Sequence, residues 1–241
     1  AAIGQVIGDL LDPLARKRVD DARLVGVAFQ EAQQLGGRLV LDHVLDRFQP
    51  QVSACVLNAN GEPARFASYG LPVVADRVEG FAGPLAGVLA GLEWARDNTG
   101  ARWVATAATD TPFFPEDFVA RMLAAMEANG ANMACAASNG RHHPVFGLWP
   151  VGLADDLRHA LVEEGIRKVD LWTARHKLVA VEFAADPHDP FFNVNRPEDY
   201  EKALRRAGVE GMNDEIPNDE GMTNDEIRTT KECPSSNDES N

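Results

Sequence analysis

The sequence predicts an α/β fold, with a mainly parallel sheet and helices on both of its faces. Short apolar runs suited to buried strands alternate with longer segments whose apolar residues recur at helical spacing. Several of those segments also carry helix start and stop signals. Polar residues follow three of the apolar runs, where the carboxyl ends of parallel strands would bring them together. A length of 241 residues, 45% of them hydrophobic, suits one such domain with appendages.

The predicted elements follow one another from residue 24 to residue 206. Strands are predicted over 24–29, 52–60, 71–76 and 102–110, and further extended segments over 131–138, 144–150 and 178–184. Helices are predicted over 39–48, 85–96, 115–130 and 152–164, and from the end of the segment NVNRP to about Arg206. Pro115 suits the first turn of its helix, and Gly130 and Gly165 suit the C-termini of theirs.

We expect one domain over residues 24–208, between two segments of different character. Residues 1–23 stay unassigned, because Pro13 would interrupt the helix that their apolar spacing favours. Residues 209–241 are predicted to be a disordered acidic tail. Nine acidic residues stand against two basic ones in 211–241, and few apolar side chains there are available for burial.

Composition excludes several classes of partner. A net charge of −14 at pH 7 argues against nucleic acid and membranes, because the overall field repels both. No apolar run approaches the roughly 18 residues of a membrane span. Cys55, Cys135 and Cys233 lie far apart and predict no disulfide framework, so we expect a reducing compartment, the cytoplasm.

Three polar residues at predicted strand ends form the candidate site: Asn58, Asp76 and Asp110. Asp110 precedes a turn that Pro112 fixes, and a rigid carboxylate suits Mg²⁺, which takes other ligands from water and substrate phosphates. Asn58 offers a donor and an acceptor to a base or sugar, and the Asp76 carboxylate can accept two hydrogen bonds side by side. Turn formation or helix capping is the competing explanation for each residue.

Two pairs of residues nearer the C-terminus are weaker candidates. His142 and His143 point to opposite sides of a strand and are poor joint metal ligands, and no third His or Cys stands at zinc spacing. We expect one of them at the surface and the other beside a cleft. Asn193 and Asn195 lie two residues apart, on one side of the extended segment before the last helix.

Gly83, Gly87 and Gly91 recur every four residues around the start of a predicted helix. Glycine costs about 1 kcal/mol relative to alanine in a helix interior, so this spacing needs a reason. Close packing of the helix against the sheet is the simplest one, since glycines on one face allow backbones to approach.

Eight segments follow one another along the chain: LGGRLVLDHVLDRFQPQV, VLNAN, GLPVVAD, GPLAGVLAGL, ATDTPFFP, HPVFGLW, RKVDLW and FFNVNRPEDY. Taken together, these segments resemble the molybdenum cofactor guanylyltransferases. The resemblance covers about residues 35–206 and keeps the family's order. It implies a Rossmann-like fold of the nucleotide-diphospho-sugar transferase type, and the Mg²⁺-dependent transfer of GMP from GTP to molybdopterin with release of pyrophosphate. The implied partners are GTP and molybdopterin, with other cofactor-biosynthesis proteins or molybdoenzymes beyond them.

The resemblance also implies roles for residues on the GTP side. Asn58 and Asp76 match positions that contact the guanosine part of GTP, and Asp110 matches the Mg²⁺ ligand and a further GTP contact. Gly83 and Gly87 match the glycines of GPLAG, where a helix start without bulky side chains leaves N–H groups accessible to a ligand.

On the molybdopterin side, the resemblance points to His143, Asn193 and Asn195. The implied chemistry is an in-line attack by the terminal phosphate of molybdopterin on the α-phosphorus of GTP. No covalent enzyme intermediate is required. Catalysis then rests on positioning and charge neutralisation by the metal and by directed donors.

The sequence departs from the family between the first predicted strand and Leu35. The family carries there a glycine-rich loop ending in lysine that holds the triphosphate, whereas residues 29–34 read FQEAQQ. No lysine stands between Lys17 and Lys168. Three interpretations stay open: an altered N-terminal coding region on an unchanged fold, a poorly active relative, or a non-catalytic protein that binds or delivers nucleotide or cofactor. A nucleotidyltransferase that uses CTP or a sugar phosphate is a further alternative.

Overall fold

The computed structural model describes residues 26–27, 34–78 and 83–206. The predicted N-terminal segment 1–23 and the acidic tail 209–241 lie outside these residues, as do most of the departing residues 29–34. The strands within the described part are Gly26–Val27 (β1), Gln34–Leu35 (β2), Arg38–Leu39 (β3), Leu57–Asn58 (β4), Val73–Val74 (β5), Trp103–Thr106 (β6), Met133–Ser138 (β7), Arg141–Pro150 (β8) and Leu178–Glu182 (β9). The α-helices there are Val40–Phe48 (α1), Pro84–Asn98 (α2), Phe118–Asn129 (α3), Ala154–Val162 (α4), Val169–Thr173 (α5) and Pro197–Arg206 (α6).

Two sheets lie side by side. One is the parallel set β1–β4–β5, and the other has the order β6–β8–β7–β9. Contacts between β1 and β6 bring the two sheets next to each other. The predicted α/β class is confirmed, and the parallel pattern is interrupted by β8, which runs antiparallel to both β6 and β7. A separate hairpin, β2–β3, turns at Gly36 and Gly37, both at positive φ as its two-residue turn requires.

Apolar residues are buried on both faces of the sheet, as the alternation of strand side chains requires. On one face, α2, α4 and α5 cover Val104, Met133 and Trp149. On the other face, α1 and α3 pack over the adjacent strand residues, including Ala105 and Ala134. This arrangement fixes the two strands that lead into the candidate site, β6 and β8.

The pairing of β6 with β8 is reinforced by a buried polar contact. The Trp149 indole N–H donates to Thr106 Oγ1 (2.9 Å), and the Thr106 hydroxyl donates to the carbonyl oxygen of Val145 (2.6 Å). Gly147 makes room for that indole, because a Cβ there would lie 2.0 Å from the ring. These contacts hold the end of β6, just before Asp110, against the strand that carries His143.

Several elements differ from their predicted bounds for identifiable reasons. Helix α3 begins at Phe118 instead of Pro115, because residues 115–118 form a turn and the Gln51 side chain accepts the N–H of Val119 (2.9 Å). Strand β8 begins at Arg141, since the turn at Asn139 and Gly140 pairs it directly with β7. The five-residue helix α5 was not predicted, being too short to show helical periodicity. Within the described residues, no helix has the length and apolar character needed to cross a bilayer.

Candidate active site

The structure brings Asn58 and Asp76 into direct contact at the ends of two neighbouring strands. Asn58 Nδ2 donates to Asp76 Oδ1 (3.0 Å) and to the carbonyl oxygen of Val74 (3.1 Å). Asn60 Nδ2 donates to the other carboxylate oxygen, Oδ2 (2.9 Å), and Asn60 Oδ1 accepts the backbone N–H of Asp76 (3.0 Å). We call Asn58, Asn60 and Asp76 the Asp76 cluster. Its carboxylate is held at both oxygens and stays half-exposed.

One atom of the Asp76 cluster has no partner among the described residues. Asn58 is fully buried, and its Oδ1 makes no hydrogen bond there. The amide orientation is fixed, because both neighbours of Nδ2 are acceptors and only an NH₂ group can serve both. An unpaired buried acceptor costs about 1–3 kcal/mol, so this position would gain from a donor.

Asp110 lies beyond β6 and is linked to Asn193 through one hydroxyl. Thr111 Oγ1 is 3.0 Å from Asp110 Oδ1 and 2.9 Å from Asn193 Oδ1, and Thr111 is fully buried. The Thr111 hydroxyl has one hydrogen and can donate to only one of these oxygens. Both contacts are satisfied when Thr111 donates to Asp110 and the Asn193 amide is flipped, so that its NH₂ group donates to Thr111. The backbone N–H of Val194 also donates to the carbonyl oxygen of Asp110 (2.7 Å). The two segments are therefore fastened together.

His143 and Asn193 line one cavity of about 390 Å³, which we call the His143 cavity. Its walls also include Ala108, Arg141, His142 and Phe191. His142 is exposed and His143 half-buried, as expected of neighbours on a strand. Asn195 is exposed and does not line this cavity, so the structure does not join it to Asn193.

Next to the His143 cavity, a buried serine joins the imidazole to a carboxylate. Ser138 Oγ is 2.7 Å from His143 Nε2 and donates to Asp189 Oδ1 (2.9 Å). The imidazole stacks on Phe191, with ring centroids 4.5 Å apart. The pKa of His143 is lowered below its ordinary value, chiefly because burial disfavours the charged ring, while Asp189 opposes that effect. His143 is consequently neutral at pH 7.

The glycines of the GPLAG segment occupy two different environments. Gly83 is exposed and lies just before α2. Its φ is +67°, a backbone conformation that residues other than glycine rarely adopt. Pro84 then occupies the first helical position. Gly87 is buried within α2, as close packing on the sheet predicts.

The described residues include no group of three or more His, Cys, Asp or Glu side chains that could hold a metal ion. Asp110 stands as a single carboxylate. That still suits Mg²⁺, which commonly binds one or two protein carboxylates and completes its shell with water and substrate phosphates.

Four polar residues that the sequence analysis did not select belong to these networks: Asn60, Thr111, Ser138 and Asp189. Thr111 follows Asp110 directly and was available from the segment ATDTP. Ser138 and Asp189 lie 51 residues apart in sequence, so no local pattern could associate them.

The sequence matches the family described as MobA-like NTP transferase domain over residues 29–180. A molybdenum cofactor guanylyltransferase of Bradyrhizobium sp. is 53% identical over 190 residues, which cover 78% of this chain and 90% of that relative. The protein of the same name from Nitrobacter hamburgensis is 47% identical over 191 residues, covering 79% and 91%.

Solved structures support the fold. Molybdopterin-guanine dinucleotide biosynthesis protein A from Archaeoglobus fulgidus superposes with a TM-score of 0.60 at 21% identity, over 77% of this chain and 99% of that one. A 4-diphosphocytidyl-2C-methyl-D-erythritol synthase from Anaerococcus prevotii gives a TM-score of 0.62 at 13% identity, over 80% and 99%. At these identities the likeness concerns the fold alone.

Proposed function

Because this chain belongs to the molybdenum cofactor guanylyltransferase family, we propose that it transfers GMP from GTP to molybdopterin and releases pyrophosphate. The observation that supports a guanine nucleotide most directly is the Asp76 cluster, in which two amides hold one half-exposed carboxylate at a strand end. The reaction class is nucleotidyl transfer.

On the base side, Asp76 is the residue proposed to read guanine. A carboxylate oxygen has more than one lone pair, so both oxygens can accept further donors while the Asn58 and Asn60 bonds persist. Guanine presents two adjacent donors, its ring N1–H and its 2-amino group. Cytosine and adenine present an acceptor at the corresponding ring nitrogen, which a carboxylate repels. This complementarity favours GTP over CTP and ATP.

On the phosphate side, Asp110 is the residue proposed to hold Mg²⁺. When bound, that ion would neutralise charge on the triphosphate. Thr111 and the backbone of Val194 fix Asp110 in place. Gly83, at the positive end of the 15-residue helix α2, is proposed to let phosphate oxygens approach the backbone. Gly87 belongs to the same segment, and its proposed part is to allow that helix to lie close to the sheet.

The chemical step needs no nucleophile from the protein. A terminal phosphate oxygen of molybdopterin forms a bond to the α-phosphorus of GTP, and the bond from that phosphorus to the bridging oxygen breaks. Pyrophosphate leaves with the electron pair. The protein's task is to align the two substrates, which alone can account for several kcal/mol of the barrier. His143 and Asn193 are proposed to bind molybdopterin in the His143 cavity, and Asn195 to contact it from outside.

The direct test is product formation. We expect the protein, incubated with GTP, Mg²⁺ and molybdopterin, to yield the guanine dinucleotide and pyrophosphate, with CTP and ATP as poor substitutes. Asp76→Asn should lower kcat/KM for GTP. Asp97→Asn, on the exposed side of α2, removes a carboxylate outside the proposed site and should leave kcat/KM for GTP unchanged. A folded protein that binds GTP and molybdopterin but forms neither product would instead be a non-catalytic binding protein. Equal turnover with CTP would contradict the proposed role of Asp76.

A further inference from the structure

We infer that Ser138 and Asp189 are positioning residues that orient His143, so that its Nδ1 accepts a hydrogen bond from an N–H donor of a flat heterocycle in the His143 cavity. The inference rests on the proposed function, since it names the part of molybdopterin that this cavity recognises: the pterin ring, and not the phosphate. Two observations carry it, namely the count of hydrogens in the network and its burial, and the lowered pKa of the ring supports it.

Counting hydrogens fixes which ring nitrogen carries the proton. An ionised carboxylate can only accept, and Asp189 Oδ1 takes one hydrogen bond from Ser138 Oγ (2.9 Å) and one from the Phe191 N–H (2.9 Å). The single hydroxyl hydrogen of Ser138 is therefore used by Asp189. At the 2.7 Å contact with His143, Ser138 must accept, so Nε2 must carry the hydrogen. In a neutral ring, Nδ1 is then the acceptor.

Burial and the surrounding chain hold this network in one geometry. Ser138 is fully buried at the end of β7, and the turn at Asn139 and Gly140 returns the chain into β8. Ala136 pairs with His143 and Ser138 with Arg141, after a register shift between Cys135 and Ala136. The stacked Phe191 ring covers one face of the imidazole, at an interplanar angle of 28°. The imidazole thus has little freedom to rotate.

The charged groups around His143 leave it neutral at neutral pH. Burial lowers its pKa most, Arg141 and His142 on its own strand lower it further, and Asp189 and Glu182 raise it. A neutral ring with an unprotonated Nδ1 is an acceptor, and it offers no positive charge to a phosphate. The cavity wall supplies further groups suited to a heterocycle, the Phe191 ring and the Asn193 amide, which has both a donor and an acceptor. It also holds the Arg141 guanidinium and the Asp189 carboxylate, and because their charges are opposite in sign, the pair attracts an anion less than Arg141 alone would.

The tautomer can be measured without any enzymatic turnover. In protein labelled with ¹⁵N-histidine, with His143→Gln used to assign the signal, we expect His143 at neutral pH to be protonated at Nε2 and unprotonated at Nδ1. In Ser138→Ala, both tautomers should be populated, because Nε2 loses its acceptor. An imidazolium, or protonation at Nδ1 in the wild-type protein, would overturn the inference.

Ligand titrations then separate the heterocycle from the anion. A plain pterin without phosphate should move the His143 Nδ1 signal, and inorganic phosphate should not; the reverse pattern would overturn the inference. In turnover assays, Ser138→Ala should raise KM for molybdopterin about tenfold, the equivalent of one hydrogen bond, and leave KM for GTP within about twofold. Ser68→Ala, at an exposed position of the 3₁₀ helix Pro63–Tyr69, is the matched control. An unchanged KM for molybdopterin would contradict positioning by Ser138.

These readouts also distinguish failure of the inference from failure of the proposed function. If pterin moves the Nδ1 signal but no guanine dinucleotide forms, then the transferase assignment fails while the role of Ser138 and Asp189 stands. If the dinucleotide forms and the tautomer is the opposite one, the assignment stands and the inference fails.

Discussion

The Asp76 cluster and the His143 cavity each contain one carboxylate with several hydrogen bonds, but the partners of that carboxylate differ between the two regions. Asp76 is half-exposed and is held by two amides, so its own oxygens are proposed to meet the substrate. Asp189 also lines its cavity, but its Oδ1 already accepts the Ser138 hydroxyl and a backbone N–H, and Ser138 links it to His143. A carboxylate held by two amides is proposed to select a ligand with paired donors, whereas a carboxylate that accepts from a serine sets the tautomer of the histidine bonded to that serine. We therefore expect replacement of Asp76 to change the enzyme kinetics more than replacement of Asp189.

Among the described residues, Asp110 is linked through Thr111 and Asn193 to the His143 cavity, not to the Asp76 cluster, and its loss should have the largest effect. Asp110→Asn removes the carboxylate proposed to hold Mg²⁺, and we expect kcat to fall about a thousandfold, at the upper end for loss of one electrostatic group. Steady-state kinetics with varied Mg²⁺ would measure it. If the variant keeps the wild-type rate and Mg²⁺ dependence, Asp110 does not hold the metal.

Asp76→Asn tests the carboxylate that is used directly. Two hydrogen bonds to a charged acceptor are weakened, and we expect kcat/KM for GTP to fall about a hundredfold. KM for molybdopterin should stay near the wild-type value, because that substrate is proposed to bind in the other region. A parallel rise in both KM values would show that the two regions are not separate.

Asn58 and Asn60 provide a matched pair on the same carboxylate. Asn58→Ala removes two hydrogen bonds made by a fully buried side chain, one to Asp76 Oδ1 and one to the Val74 carbonyl oxygen, which keeps the Ala59 N–H as a donor (2.9 Å). We expect about 2 kcal/mol loss of unfolding free energy. Asn60 is exposed, and water can replace its amide, so Asn60→Ala should cost less than about 0.5 kcal/mol. Urea unfolding measures both. Equal costs would contradict the burial argument.

Asp189→Asn should have the smallest effect, and it should act through pH. The negative charge of Asp189 stabilises protonated His143 and raises its pKa, so removing the charge lowers that pKa further. In the wild-type protein, kcat/KM for molybdopterin should fall as His143 becomes protonated at acid pH. In the variant, that fall should move to lower pH. Asp155→Asn, on the exposed surface of α4, is the control. A shift to higher pH would have the wrong sign.

Sequence reasoning found the first region more completely than the second. Asn58 and Asp76 were selected because each follows a strand of one parallel sheet, and the structure places them in contact, while their role in binding stays a prediction. Ser138 and Asp189 were missed, because their contact depends on a register shift in the β7–β8 pairing and on a loop after β9. His143 and Asn193 were selected, yet their common cavity could be seen only in the fold.

The phosphate side shows a further limit of sequence reasoning. Residues 29–34 lack the glycines and lysine of the family's phosphate loop, and 29–33 of them lie outside the described residues. The adjoining residues 34–39 form the β2–β3 hairpin, in which Leu35 is fully buried. Its Gly36 and Gly37 are accounted for by the turn itself.

The measurement that tests the central claim most directly is the preference for GTP over ITP, in the wild-type protein and in Asp76→Asn. ITP keeps the ring N1–H and lacks the 2-amino group, so it removes one of the two donors that Asp76 is proposed to accept. We expect the wild-type protein to prefer GTP by about tenfold to a hundredfold in kcat/KM, the value of one hydrogen bond to a charged group, and Asp76→Asn to lose most of that preference. A preference that survives in Asp76→Asn would contradict the claim that this carboxylate reads guanine.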